Sequence, residues 1–435
     1  MSPRRVETPR NRDALVELLR AAVVDDGGQC LALGSQTSKS PCFKTRGLGV
    51  LLSEFNVLER RGPFSVRVGA GTILSDLLVF LRAEGLALPT IGEWSGQTVG
   101  GAISTGTHGG SYRYGSLCSS VESATVMNAE GEVHTLRRGE ANFSHLLPSF
   151  GTTGIALEYE LRCTPHFDVC VTRRCVPFET YVDDLVHNPE HAVFRSAIWL
   201  PALGCVIDDV ADPVEALPLD HLTDREVRFN DTAIVLDWLA KRSPGPRRAK
   251  RWLRARHTVN ATLSRSPKLL FPQRHYRGAY DDMLAPLRGS ASEILSKRKK
   301  NSTPPEGEFA VTEDKAAAFL RALDRYFRST GHYPDRPVGL RPGAQEHGTL
   351  AATQTGPSTW VSMFIDTDNP LMTELPDMLA GYGARPHWGK CVFHRPSQIA
   401  SMYRDWDSFE AFRANQDPHG RFLNDFAKGL GLGHA

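Results

Sequence analysis

No stretch constrains this chain more than residues 92–116, GEWSGQTVGGAISTGTHGGSYRYGS, in which eight of 25 residues are glycine and seven are serine or threonine. Glycine adopts positive φ and lets other atoms approach the backbone. Successive N–H groups can then converge on anionic oxygens, and small hydroxyls add donors without bulk. The stretch is either a flexible loop or a ligand cradle. An ordered strand and helix before it and a hairpin after it favour the cradle. Its candidate binding residues are Thr98, Gly100, Gly101, Ser104, Thr105, Gly106, Thr107, His108, Gly109, Gly115 and Ser116. Gly34-Ser35-Gln36-Thr37-Ser38, directly after a short apolar strand, reads as a second cradle.

Around these loops the first 165 residues alternate short strands and helices. Thr8-Pro9 reads as a helix start, with proline at the first helical position, and Leu15, Leu18, Leu19 and Ala22 follow at one-face spacing. Cys30 to Leu33 reads as a strand, and Leu74, Leu77, Leu78 and Leu81 as a helix ended by Gly85. Residues 124–136 read as a hairpin around Ala129-Glu130-Gly131, and Ile155, Leu157, Tyr159 and Leu161 as an alternating strand. The order is βαβ-like but the strands are short, which predicts an α+β fold. At 435 residues the chain is too long for one core. Glycine thins from about residue 166, where a second unit is expected, and returns with proline at 381–389.

Composition excludes several classes. With 41% apolar and 23% charged residues the chain is ordinary for a globular protein, not disordered, collagenous or coiled-coil. No run approaches eighteen apolar residues, so no membrane span is expected, and the charged N-terminus lacks the apolar core of a signal peptide. Eight cysteines without a C-x-x-C pair read as buried thiols of a cytoplasmic protein, with no disulfide framework and no metal site. The net charge of +2 gives no reason to expect a polyanionic partner. Residues 241–256 hold eight Lys or Arg and no acid, and 297–300 form a smaller basic cluster. Such runs are usually solvated helix faces, the alternative being a patch for a phosphorylated or membrane-surface partner. Nothing accompanying them suggests nucleic acid.

Several of these residues also form a family pattern. Val68-Gly69-Ala70-Gly71, Leu77 to Leu81, Gly85-Leu86, Leu88-Pro89 and Thr98-Val99-Gly100-Gly101-Ala102-Ile103-Ser104 resemble the PCMH-type FAD-binding domains of the vanillyl-alcohol oxidase superfamily. Thr105-Gly106-Thr107-His108-Gly109 is similar to the sugar-lactone and alditol oxidases within it. So are Gly383-Ala384-Arg385-Pro386-His387-Trp388-Gly389-Lys390, Tyr403, Trp406, Phe409 and Asp417-Pro418. The resemblance implies a two-subdomain FAD-binding domain built from 1–165 and 381–435, with 166–380 as an α+β substrate cap on an antiparallel sheet. The pyrophosphate would rest on Gly34 to Ser38 and on Ser104 to His108, and Gly151 to Ile155, including Gly154 and Ile155, would hold the nucleotide end. His108 would touch flavin or brace its loop. Lys390 would stabilise the negative charge that hydride brings to N1 and C2=O of the flavin, an electrostatic role. His387 would orient substrate or pack against the ring.

The chain departs from the family in two places. Many members attach FAD covalently through a histidine in the first loop; the corresponding position is Gln36, which implies non-covalent FAD. Members also present a Glu-x-Arg strand whose side chains, two residues apart, share one face. Here it reads Gly339-Leu340-Arg341, leaving Arg341 without its carboxylate and expected to bind an anionic or polarised substrate group, with Glu346 nearby in a loop. The expected activity is FAD-dependent oxidation of a CH–OH group of a sugar, sugar lactone or polyol by hydride transfer to N5, with oxygen or another acceptor. The alternatives are a dehydrogenase of a lipid- or nucleotide-linked sugar and a flavin-binding protein with a degenerate cap.

Overall fold

The computed structural model describes residues 3–25, 28–187, 192–215, 274–284 and 304–433. The basic runs at 241–256 and 297–300 lie outside the described residues.

Strict alternation makes Ile155–Arg162 the centre of the first sheet, with Ile155, Leu157, Tyr159 and Leu161 pointing into the core. Its neighbours give the antiparallel order Leu58–Gly62, Ser65–Gly69, Ile155–Arg162, Val121–Met127, Val133–Arg137. The helices Leu74–Ala83 and Val99–Ser104 bury Leu74, Leu77, Leu81, Val99 and Ile103 in the same core. Beside it lies a parallel sheet, ordered Arg5–Glu7, Leu48–Leu51, Cys30–Leu33, with the helix Arg12–Asp25 burying Leu15, Leu19 and Ala22. That helix begins at Arg12 rather than at Thr8-Pro9. The Asn11 side chain accepts from the Ala14 N–H at 2.9 Å and caps it, a role Asn performs better than a remote Thr-Pro pair.

The second large sheet is antiparallel throughout. Its eight strands among the described residues run Arg274–Ala279, Asp168–Pro177, Cys205–Val214, Phe194–Leu200, Val338–Gly343, Ser358–Phe364, Glu306–Thr312, Arg385–Pro386. One face is apolar: Phe309, Val311, Leu340, Val361 and Met363 pack with the helices Phe178–His187, Glu313–Thr330 and Leu371–Tyr382. The opposite face meets the glycine-rich loop. Ser111 bridges to both Phe194 and Gly343, and a Cβ on Gly110 would lie 2.0 Å from the Arg195 carbonyl oxygen. Only glycine permits that contact.

After Arg385–Pro386 the chain returns to the first loop. Lys39 N–H donates to the Gly389 carbonyl at 2.7 Å, the Ser40 hydroxyl to the Trp388 carbonyl, and Cys30 N–H to the Arg421 carbonyl at 2.8 Å. Trp388, Tyr403, Phe409 and Leu423 form a small core there with the helices Pro396–Met402, Trp406–Gln416 and Asp425–Gly429. No helix among the described residues is long and apolar enough to cross a membrane.

Candidate functional site

Two features converge at the junction of the sheets. The first is a cleft of about 810 Å³, counting its open mouth. Gly34, Ser35, Gln36, Thr37 and Ser38 form one wall, and Ala70, Gly71, Thr98, Gly100, Gly101, Ser104 and Thr105 another; Phe150, Gly151, Gly154 and Ala156 close it. Its walls come together because Gly34 has no side chain: a Cβ there would sit 2.4 Å from Thr98 Oγ1. That oxygen caps the short helix Val99–Ser104 by accepting from Gly101 N–H. Gln36 holds φ at +53°, which a non-glycine residue rarely adopts. The Ser35 hydroxyl is buried with no hydrogen-bond partner among the described residues, an orphan donor on the cleft wall of the kind a ligand satisfies. These residues fit a phosphate-bearing cofactor such as FAD.

The remaining members of the cradle do not line the cleft. Gly106 turns the chain at φ +72°, Thr107 donates to the Gln97 side chain at 3.0 Å, and Gly109 packs under the Ile91 carbonyl. Ile155 points into the core, leaving Gly154 and Ala156 at the cleft. Gly115 and Ser116 face Glu346 instead: the Ser116 hydroxyl donates to Glu346 Oε1 at 2.6 Å, and a Cβ on Gly115 would strike the same side chain. Glu346 lies in a loop, as expected, but is a buried docking residue there, its carboxyl pKa pushed up by burial.

The second feature is a polar patch on the open sheet face. Cross-strand register puts Gly339, Ser362 and Glu308 in one row and Arg341, Trp360 and Ala310 in the next, all on the same face. Glu306 precedes Glu308 by two residues on the same strand, and the edge strand Arg385–Pro386 delivers His387 and Lys390 beside them. Lys390 forms an ion pair with Glu306, whose Oε1 also accepts from Ser362 Oγ at 3.4 Å. The His108 ring stacks on Trp360 at 3.9 Å and 11°, and its Nδ1 donates to the Gly109 carbonyl at 2.8 Å. Its Nε2 therefore faces Glu308 Oε1, 3.6 Å away. Burial opposes the Glu308 charge, yet His108, Lys390 and His387 together hold this carboxyl well below the usual carboxylate range.

Arg341 differs from its expectation. Its guanidinium is not free: it forms an ion pair with Glu93, from the start of the glycine-rich loop, 248 residues away in sequence. Neither Glu93 nor Glu308 belongs to a motif that marks it as a site residue. The E-x-E alternation at 306–308 was the available signal.

His108, Glu308 and His387 bring three ligating atoms within 4.8 Å of one another. Their hydrogen bonds argue against a metal centre. Gly389 N–H donates to His387 Nδ1 at 2.9 Å, so the neutral ring carries its proton on Nε2, the nitrogen a metal would need. Burial pushes the His387 pKa down to about 3 against the pull of Glu308, which keeps the ring neutral. It is a hydrogen-bond donor set beside an anion.

The family model for D-arabinono-1,4-lactone oxidase matches residues 159–430, and that for an FAD binding domain matches residues 3–137. D-Arabinono-1,4-lactone oxidase of Eremothecium gossypii is 35% identical over 214 residues, 47% of this chain and 40% of that protein, so the matched part spans well under half of that relative. Alditol oxidase of a Streptomyces species is 25% identical over 379 residues, 84% of this chain and 81% of that protein. Among solved structures, cholesterol oxidase from B. sterolicum aligns with a TM-score of 0.71 at 16% identity, over 98% of this chain and 93% of that one, a likeness of fold alone.

Proposed function

Since the chain belongs to the D-arabinono-1,4-lactone oxidase family, we propose that it is an FAD-dependent oxidoreductase acting on a CH–OH group of an uncharged sugar, sugar lactone or polyol. The observation that carries the reading is the polar patch beside the cleft: Glu308, Glu306, Arg341 and Lys390 at one sheet face, with His108 and His387 packed against them. A degenerate cap would have no reason to keep so many desolvated charges together, since each is costly to bury.

FAD, when bound, supplies the two-electron acceptor for hydride from a carbinol carbon. Gly34 to Ser38 and Ser104 to Thr105 would hold its phosphates, with backbone N–H groups and the unpartnered Ser35 hydroxyl as donors. Lys390, held by Glu306, offers the positive charge that offsets incoming negative charge. His387 stays neutral and donates from Nε2. Arg341 is already neutralised by Glu93, so an anionic substrate would have to displace one carboxylate while facing two more, Glu306 and Glu308. That favours an uncharged substrate over the anionic one expected from Arg341 alone. The Gln36 amide cannot form the covalent flavin bond of many relatives, which supports non-covalent FAD. Eight cysteines that form no disulfide among the described residues, all but Cys170 and Cys391 buried, support a reducing, cytoplasmic setting. Oxygen or another acceptor would return the enzyme to its starting state.

The test is anaerobic bleaching of the purified protein with xylitol, sorbitol, gulono-1,4-lactone and arabinono-1,4-lactone, beside their phosphorylated or carboxylated counterparts. The neutral compounds are expected to bleach and the anionic ones not. Acid precipitation is expected to release all the flavin as FAD; flavin retained by the denatured chain would end the non-covalent reading.

A further inference from the structure

We propose that Glu308 is the carboxylate that meets the substrate hydroxyl in this protein and accepts its proton, and that the space over Gly339 is where the substrate lies beside it. The inference rests on the reading of the chain as a CH–OH oxidoreductase and adds which residue handles the proton.

The starting point is the row Gly339, Ser362, Glu308. Adjacent antiparallel strands lie about 4.8 Å apart, so Glu308 projects from the same face roughly 9.6 Å from position 339. A carboxylate on the first strand of this row and one on the third would reach the same volume from its two sides. That volume is open above Gly339: a Cβ there would meet only Ser362 Cβ among the described residues, at 3.4 Å, an ordinary contact.

The Glu308 carboxylate is an unfinished group. Its side chain is 5% exposed, and its nearest polar neighbours among the described residues, His108 at 3.6 Å and His387 within 4.8 Å, lie beyond good hydrogen-bonding range. An ionised carboxylate accepts at about four lone-pair positions and is costly to bury with so few of them used. The other polar groups of the patch are engaged: Glu306 with Lys390 and Ser362, Glu93 with Arg341, Glu346 with Ser116 and Thr353. His387 presents a proton rather than a lone pair. Glu308 is left as the acceptor for a hydroxyl.

The chemistry then balances. The carbinol C–H bond breaks with its electron pair, which passes to FAD as hydride; the O–H bond breaks and its proton passes to a Glu308 oxygen; the C=O bond forms between them. Glu308 is a weak base at the outset, but the hydroxyl grows acidic as hydride departs, and the transfer becomes favourable late in the step.

The test uses the intact FAD-loaded protein and anaerobic stopped-flow reduction by xylitol, sorbitol, gulono-1,4-lactone and arabinono-1,4-lactone. Glu308→Gln keeps the shape of the side chain and is expected to slow reduction at saturating substrate at least a hundredfold, with FAD content and visible spectrum unchanged. The decisive variant is Glu308→Gln combined with Gly339→Glu, which returns a carboxylate to the same row. It is expected to recover at least tenfold with the smallest alditol that reduces wild type, a rescue that a purely structural role for Glu308 would not produce. An unchanged rate in Glu308→Gln overturns the inference while leaving the functional reading intact, and so does a slowed variant that Gly339→Glu fails to rescue. If none of the four compounds reduces wild-type flavin, the functional reading fails and this inference with it.

Discussion

Arg341 and Lys390 each meet a carboxylate far away along the chain, Glu93 and Glu306. Both ion pairs are partly buried, so they set the charge that a substrate meets rather than adding measurably to stability. Lys390→Met removes the cation while leaving the cleft wall untouched. Flavin reduction by the best neutral substrate is expected to slow on the order of a hundredfold, the scale typical of losing one preorganised charged donor. FAD should stay bound, because Lys390 is not among the cleft residues. An unchanged rate in stopped-flow reduction would make Lys390 a structural partner of Glu306 and nothing more. Of this site, Lys390, His387, His108 and Arg341 were readable as residues, because motif and residue type mark them. Their partners were not, because an ion pair between positions 93 and 341 leaves no local pattern in either segment.

At the scale of elements, the cradle depends on one close approach. The loop after Cys30–Leu33 reaches the start of Val99–Ser104 with Gly34 against Thr98 Oγ1. Gly34→Ala would push Thr98 off the Gly101 N–H it caps and widen the wall around Ser35. FAD affinity, measured by fluorescence on re-adding FAD to stripped protein, is expected to fall at least tenfold while the far-UV circular dichroism stays native. Retained affinity would show that the two walls do not need each other. Elements with strong periodicity were legible: the alternating Ile155–Arg162 strand, the Val121–Met127 and Val133–Arg137 hairpin, and the helix over Leu15 to Ala22. The start of that helix was not: the sequence reads it at Thr8-Pro9, and only the folded backbone brings the Asn11 side-chain oxygen onto Ala14 N–H.

For the molecule as a whole, two histidines buried neutral tie stability to pH. Burial lowers the His387 pKa to about 3 and that of His394 to about 4, from 6.5. The unfolded chain takes up these protons as pH falls below about 6.5 and the native protein does not, so stability is full above that value and is lost progressively towards pH 4 and below. His394 lies outside the polar patch, its Nε2 donating to the Ala384 carbonyl at 2.7 Å. The fall in melting temperature between pH 7.5 and pH 4.5 is expected to be smaller in His394→Gln than in wild type. An equal fall would remove His394 as a source of acid sensitivity. This coupling exists only because the segment after Arg385–Pro386 is folded back between the large sheet and the first loop.

The sequence by itself determined what is local: a glycine-rich cradle, alternating strands, amphipathic helices, and Gln36 and Gly339 at positions where the family resemblance implies a histidine and a glutamate. Each depends on residue type and on neighbours a few positions away, which a linear pattern carries. Tertiary structure decided what position 339 means. Strand order puts Glu308 in the row of Gly339, and the contact of the glycine-rich loop with the sheet puts Glu93 on Arg341. Those contacts join residues separated by 23 positions or more, through register and packing that no single segment encodes.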